Sequence, residues 1–282
     1  MTVIQLAPKP FIPQQPQASH LWHFIRVSQM FKLQTFLEHG IWLARLDQFH
    51  DELEGTLPRP NLGLLEKLLP TAMAEYTADL YKKDALRGYA SCWHASEGNP
   101  SAKMWKEKFG NRGRAMALRT SPNLLASAAA RFLGAGGPCY LGQIRYIDHD
   151  KDEVPEANTI EVAFVVQNRF AYQQEVRLYV HTLSGSAYRV LTDTLLTPGQ
   201  AIVRQAKPEE VLEYSNEIIG NIPRELGAKL HADHDGKALI LPISAGTYID
   251  EVLVGPNVRD PELQDLNSLL HGTGLADKVR RL

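Results

Sequence analysis

The sequence predicts an α+β fold, with a mixed, largely antiparallel sheet flanked by helices. Three observations lead there. Strand and helix signals are interspersed along the chain, without the regular alternation of a doubly wound parallel sheet. Residues 21–46 read as strand, helix, strand in a short span. The second half is richer in strand patterns, at 140–147, 175–181, 188–191, 238–243 and 249–254.

Each element has a local reason. Residues 7–18 carry Pro8, Pro10, Pro13 and Pro16 among glutamines, so 1–20 is expected to be an extended or disordered leader, with a single domain over 21–282. Leu21–Val27 is a strand pattern. Ser28 can cap a helix whose apolar positions Met30, Leu33, Phe36 and Leu37 share a face, and Gly40 supplies the left-handed stop. Residues 41–46 form the next strand. Helical insertions are expected near 61–86, broken at Pro70, and near 205–230, where Pro208 starts a helix. A strand at 88–94 runs into a turn. Ser101 then caps a helix with Ala102, Trp105 and Phe109 on one face, stopped by Gly110. A strand at 114–119 precedes Ser121-Pro122, a cap followed by a first-turn proline, with Leu124, Ala128 and Phe132 expected on the buried side. Gly134–Pro138 follows a helix instead of opening one, so it reads as a stop and turn, not a phosphate loop. Asp260-Pro261-Glu262 opens the last helix, with Leu263, Leu266 and Leu270 inward.

Bulk properties narrow the function classes. The 282 residues carry a formal net charge of −2, with 44% hydrophobic and 22% charged residues. That balance argues against a surface-wide nucleic-acid footprint, though not against a local basic groove. No apolar run approaches the roughly 20 residues that span a bilayer, and the start of the chain lacks the pattern of a secretion signal. Cys92 and Cys139 are too few for a disulfide framework or a cysteine metal site. The chain reads as cytoplasmic, with no membrane partner and no resident metal.

Several side chains could carry chemistry. Arg45, Asp47, His50, Asp51, Glu52 and Glu54 form a polar cluster whose spacing fits no metal motif, so it reads as a solvated turn. His231, Asp233, His234 and Asp235 before Gly236 read the same way. Strand alternation puts Ser91 and Trp93 on one side and Cys92 and His94 on the other, and a Cys92 nucleophile lacks supporting groups. Trp93 and Trp105 are either core or the walls of a ring-stacking pocket. Glu175 and Arg177 share a strand face with Tyr179, opposite Val176, Leu178 and Val180. They form a charge-assisted pair or share a ligand, on a face that is solvent or a polar cleft.

These segments together carry a resemblance. Leu21–Gly55, Ser91-Cys92-Trp93-His94 with Met104-Trp105, Glu175-Val176-Arg177, and Val254-Gly255-Pro256 before the last helix resemble, in order, the motifs of a bacterial family known as domain of unknown function 2971. The resemblance spans most of 21–272. One departure stands out. The family often shows a Glu-Ser pair before the Met-Trp helix, whereas this chain has Asn99-Pro100-Ser101, with Glu97 displaced.

A more distant likeness is to the layout of mono-ADP-ribosyltransferases. It implies that His23 or Arg26 on the first strand holds the dinucleotide. Ser91 would frame the nicotinamide ribose. Glu175, in Gln173-Gln174-Glu175, would stabilise the cationic carbon left when nicotinamide departs. Glu251 is a rival carboxylate. On that likeness the protein is expected to bind a nucleotide-type small molecule, with NAD as substrate of an ADP-ribosyl glycosyl transfer, and with Trp93, Trp105 and Arg177 as further ligand contacts. The competing expectation is a non-catalytic binding or interaction module, in stress response or phage defence.

Overall fold

Strand β1, His20–Arg26, sits inside a sheet that its own alternation makes two-sided. Leu21 and Ile25 enter one core, while Trp22 and Phe24 face the other way. The computed structural model describes residues 13–109, 114–133, 139–155, 159–181, 231–232 and 237–282. Residues 1–12, the Gly134–Pro138 turn, the strand at 188–191, the helices expected over 205–230 and the acidic turn at 233–236 lie outside the described residues.

The fold is α+β, as predicted. Its main sheet has ten described strands in the order β12-β11-β4-β1-β3-β2-β10-β9, with β8 added to β3 and β5 to β8. These are β2 (Ile41–Arg45), β3 (Gly88–Ser96), β4 (Ala115–Thr120), β5 (Cys139–Gln143), β8 (Glu175–His181), β9 (His231–Ala232), β10 (Ala238–Leu241), β11 (Glu251–Val254) and β12 (Val279–Arg281). The described pairs are antiparallel except β11 with β12. Two short strands, β6 (Arg145–Ile147) and β7 (Val165–Gln167), form a separate parallel pair.

Helix α1, Met30–Glu38, buries Leu33 and Phe36 and ends at Gly40, whose φ of +114° only glycine adopts freely. A Cβ there would lie 2.0 Å from the Leu241 carbonyl oxygen, so glycine also lets β10 approach. Helices α2 (Arg59–Leu68) and α3 (Thr71–Ala85) flank Pro70, as the proline requires. Helix α4, Ala102–Phe109, is capped by Ser101, whose Oγ accepts the Met104 amide at 3.1 Å. Helix α5, Pro122–Leu133, is capped the same way by Ser121. The short α6, Thr159–Val162, precedes β7, and α7, Asp260–Leu270, buries Leu266 and Leu270.

The differences from expectation are local. Ser28 lies in a 3-10 turn, Val27–Gln29, and α1 starts one residue later than a Ser28 cap would place it, without a side-chain cap. On α5 the buried stripe is Leu125, Ala128 and Ala129, while Leu124 is 41% exposed. The i, i+3, i+4 set that starts at 125 is the tighter apolar stripe. The single strand expected at 140–147 is two, because the chain changes sheets at Ile144. The Ile144 amide bonds the Glu175 carbonyl and the next amide, Arg145, bonds the Phe164 carbonyl, each at 2.9 Å. The proline-rich approach is packed from Pro13 onward. Pro13 is buried and Gln14 accepts the Gln143 amide at 2.8 Å.

The largest core fills one face of the sheet, with Leu21, Phe36, Trp93, Met116, Leu118 and Val176 among its members. The other face carries two smaller clusters. One joins Trp22, Trp105, Ala115, Ala117 and Leu253. The other joins Ala90, Ile144, Ile160, Phe164 and Tyr179, under the segment that follows β5.

Candidate functional site

The site begins with how β3 is paired. On one edge β3 pairs β8 from Gly88↔His181 to His94↔Glu175. The opposite edge is shared. β1 takes its end, Trp22↔His94 to His20↔Ser96, and β2 takes its start, Ala44↔Ala90 and Arg45↔Tyr89. Between these pairings the sheet divides, and residues 91–93 have no strand partner on that edge among the described residues. His23, the first β1 residue past the pairing, fills part of the gap. Its ring lies 3.1 Å from the Cys92 carbonyl oxygen through Nδ1 and stacks on Phe36 at 5.6 Å.

A cleft of about 190 Å3 opens at this division. It is lined by His23 and Phe24 of β1, Trp42 and Ala44 of β2, Phe49 beyond it, and Ala90, Ser91 and Cys92 of β3. Ser91 is 2% exposed, and its hydroxyl has no hydrogen-bond partner. A buried hydroxyl left unbonded costs stability, so such a group calls for an explanation.

Directly behind the cleft wall lies a buried charge cluster. Arg177 is fully buried and donates to Glu175 Oε1 through Nε (2.9 Å) and Nη2 (2.7 Å), and through Nη1 to Glu54 and to the Ala163 carbonyl. Its guanidinium sits 5.3 Å from the centre of the Phe49 ring. The Glu175 amide donates to the Tyr146 hydroxyl at 2.7 Å. Gln174, in the left-handed region at φ 42°, turns the chain into β8 just before Glu175. Burial would lower the Arg177 pKa, but Glu175 and Glu54 hold it well above the usual guanidinium range. Burial pushes Glu54 up to about 7 against the pull of Arg177, and the Glu175 charge adds to the rise. Burial also pushes the Cys92 thiol far up, aided by Glu175, so Cys92 is a protonated thiol and a poor nucleophile.

The expected site residues fall into three groups. His23 and Ser91 meet at the cleft. Glu175 and Arg177 are one layer behind it, joined to it through Cys92 and Phe49, on a face that is neither solvent nor open cleft but buried. The rest lie elsewhere. Trp93 is 1% exposed in the main core and Trp105 is 6% exposed against Phe24 and Gly255, so both fill core instead of walling a pocket. Arg26 is exposed at the end of β1. Glu251 lies on β11, three strands from β3, and is held by Arg119 and Arg280. Glu97, displaced in sequence, accepts the Ser19 hydroxyl at the surface.

Sequence reasoning missed Glu54, read there as part of a solvated turn. Asp51 and Glu54 are 5% and 8% exposed, and Asp51 is bonded by Gln167 and by the Leu53 amide. The apolar Leu57, buried just beyond Glu54, is a local signal that the segment turns inward. The aromatic residues that line the cleft are Phe24, Trp42 and Phe49, not Trp93 or Trp105. Among the described residues, no three His, Cys, Asp or Glu side chains converge to hold a metal, and no helix is long and apolar enough to cross a membrane. Comparison with protein-family models, with curated proteins and with solved structures found no match.

Proposed function

We propose that the cleft is the ring-binding subsite for a nucleotide-type ligand, NAD foremost, in an ADP-ribosyltransferase-like layout. The observation that carries this reading is the aromatic-lined opening where β1 and β2 part from each other beside β3. The cleft is smaller than the roughly 300–1,000 Å3 that accommodates a whole drug-sized ligand, but adequate for one flat ring. Phe24, Trp42 and Phe49 offer aromatic faces, and the partly exposed His23 ring offers a polar contact for a ring substituent such as an amide. The rest of the ligand then lies outside, toward the end of β1 where Arg26 is exposed.

Catalysis in this reading assigns Glu175 to the cation that forms as nicotinamide leaves. A specific observation favours the competing, non-catalytic reading. Glu175 is already engaged by two nitrogens of Arg177 and does not line the cleft. One set of measurements separates them: calorimetric titration of the purified chain with NAD, ADP-ribose and nicotinamide, and an assay of nicotinamide release. Binding of NAD and nicotinamide is expected. Trp42→Ala should weaken nicotinamide by about three- to tenfold, the worth of one aromatic contact. If the protein is an enzyme, Glu175→Gln abolishes release and leaves NAD binding intact. Binding without release marks a binding module. Binding of none of the three ligands overturns the proposal.

A further inference from the structure

The charge behind the cleft wall has a consequence for what enters the cleft. Cys92 and Phe49 line the cleft on one side and touch the cluster on the other, Cys92 through Glu175 and Phe49 through Arg177. Two carboxylates share one guanidinium, so the group holds more negative than positive charge once both are ionised. We infer that the Glu54–Arg177–Glu175 group makes the cleft selective for a flat ring bearing positive charge, and that Glu54 switches this selectivity on as it loses its proton. The inference rests on the ring-binding reading of the cleft and adds to it a charge preference and its control.

The groups around Glu54 leave it as the switch. Arg177 and Glu175 face it from β8, Cys92 from β3 and Asp51 from its own segment, and Tyr146 of β6 lies against Glu175. Cys92 and Tyr146 are pushed upward by burial and stay neutral. Among the described residues, Asp51 accepts from neutral donors, the Gln167 side chain and two backbone amides. His149, a ring close to Asp51, is pushed down by burial. Arg45 is bound to Asp47 on the outer side. Ionising Glu54 adds one negative charge to the group around Arg177. The change falls near pH 7. It acts through a wall of low polarisability, where one added unit charge about a side-chain layer away is worth roughly three- to tenfold in the affinity of a cation. Aromatic faces reinforce the same preference.

A matched pair of rings tests it: neutral nicotinamide and its N-methylated cation, titrated calorimetrically into the full chain across about pH 6 to 8. The cation should bind roughly three- to tenfold tighter than the neutral ring at the alkaline end, with the ratio shrinking toward the acid end. Glu54→Gln should hold the ratio at its acid-end value throughout. A neutral ring that binds as well as the cation at the alkaline end overturns the charge preference and leaves the ring-binding reading standing. A ratio that varies identically in Glu54→Gln overturns the role of Glu54. Failure of both rings to bind overturns both. Should Glu54→Gln not fold, the wild-type series decides alone, because a ratio constant across the range is incompatible with the switch.

Discussion

Arg177 has no exposed surface, and a guanidinium can be held so only where carboxylates and carbonyls surround it. It is the centre of a cluster in which charge, burial and the cleft meet, and its partner Glu54 carries a measurable signature. Glu54 sits near 7 in the folded protein against an ordinary value of 4.5. Between those values the folded chain holds more protons than the unfolded one. The contribution of Glu54 is therefore fully present below about pH 4.5 and lost as pH rises through about 7, by roughly 3 kcal/mol at most. Urea unfolding at the two ends of that window should show the loss in the wild type. Glu54→Gln, which mimics the protonated form, should match the wild type at the acid end and be more stable than it at the alkaline end. An unchanged pH slope in the variant sinks the assignment. His149 acts with the opposite sign. Its buried ring has no partner on either nitrogen, and burial lowers its pKa, so its contribution is lost as pH falls below about 6.5. Half of this cluster was legible in the sequence. The two-residue spacing of Glu175 and Arg177 fixes a shared strand face, but no local pattern ties either to Glu54, which a long-range fold contact delivers.

At the scale of elements, β3 does two jobs along one length. Its β8 edge is continuous, and its other edge is divided between β1 and β2. In an antiparallel strand the N–H and C=O of one residue point to the same edge. The Cys92 carbonyl faces His23, so its amide is directed into the division as well, while Ser91 and Trp93 direct theirs toward β8. Amide hydrogen exchange should therefore find Cys92 less protected than Ser91 and Trp93, and a ring seated in the cleft should slow it. Equal protection of all three in the free protein would mean that the division is closed in solution. The sequence made the strand readable but not its division, because alternation reports faces, not edges. The same blindness explains Ile144. Its residues read as one continuous strand, and only the competing partners Glu175 and Phe164 split it into two. Capping signals fared better, since a serine that bonds its own helix is a local event. Ser101 and Ser121 both cap as read, whereas Ser28 is displaced by a 3-10 turn.

For the whole molecule, the sheet is covered on both faces, and the cleft is an interruption in that cover where three strands diverge. The α+β class and the antiparallel bias both followed from the irregular order of elements. The cleft did not follow, because it is made by residues from 23 to 92 whose meeting depends on where β1 and β2 leave β3. Its aromatic wall includes Trp42, 39% exposed on a strand that otherwise buries Ile41 and Leu43. A large ring left in water on an otherwise well-packed element contributes little to folding, and on the proposed reading it covers a bound ligand. A ligand at a hundredfold excess over its dissociation constant stabilises the fold by about 2.7 kcal/mol, which for a chain of this size raises Tm by about 5 °C or more. Trp42→Ala should leave the unliganded Tm within about 2 °C of the wild type and remove most of the shift produced by saturating NAD or N-methylated nicotinamide. If the variant keeps the full shift, the ring is bound somewhere other than the division of the sheet. If it instead loses stability without ligand, Trp42 is a packing residue, and the cleft has one wall fewer than this reading requires.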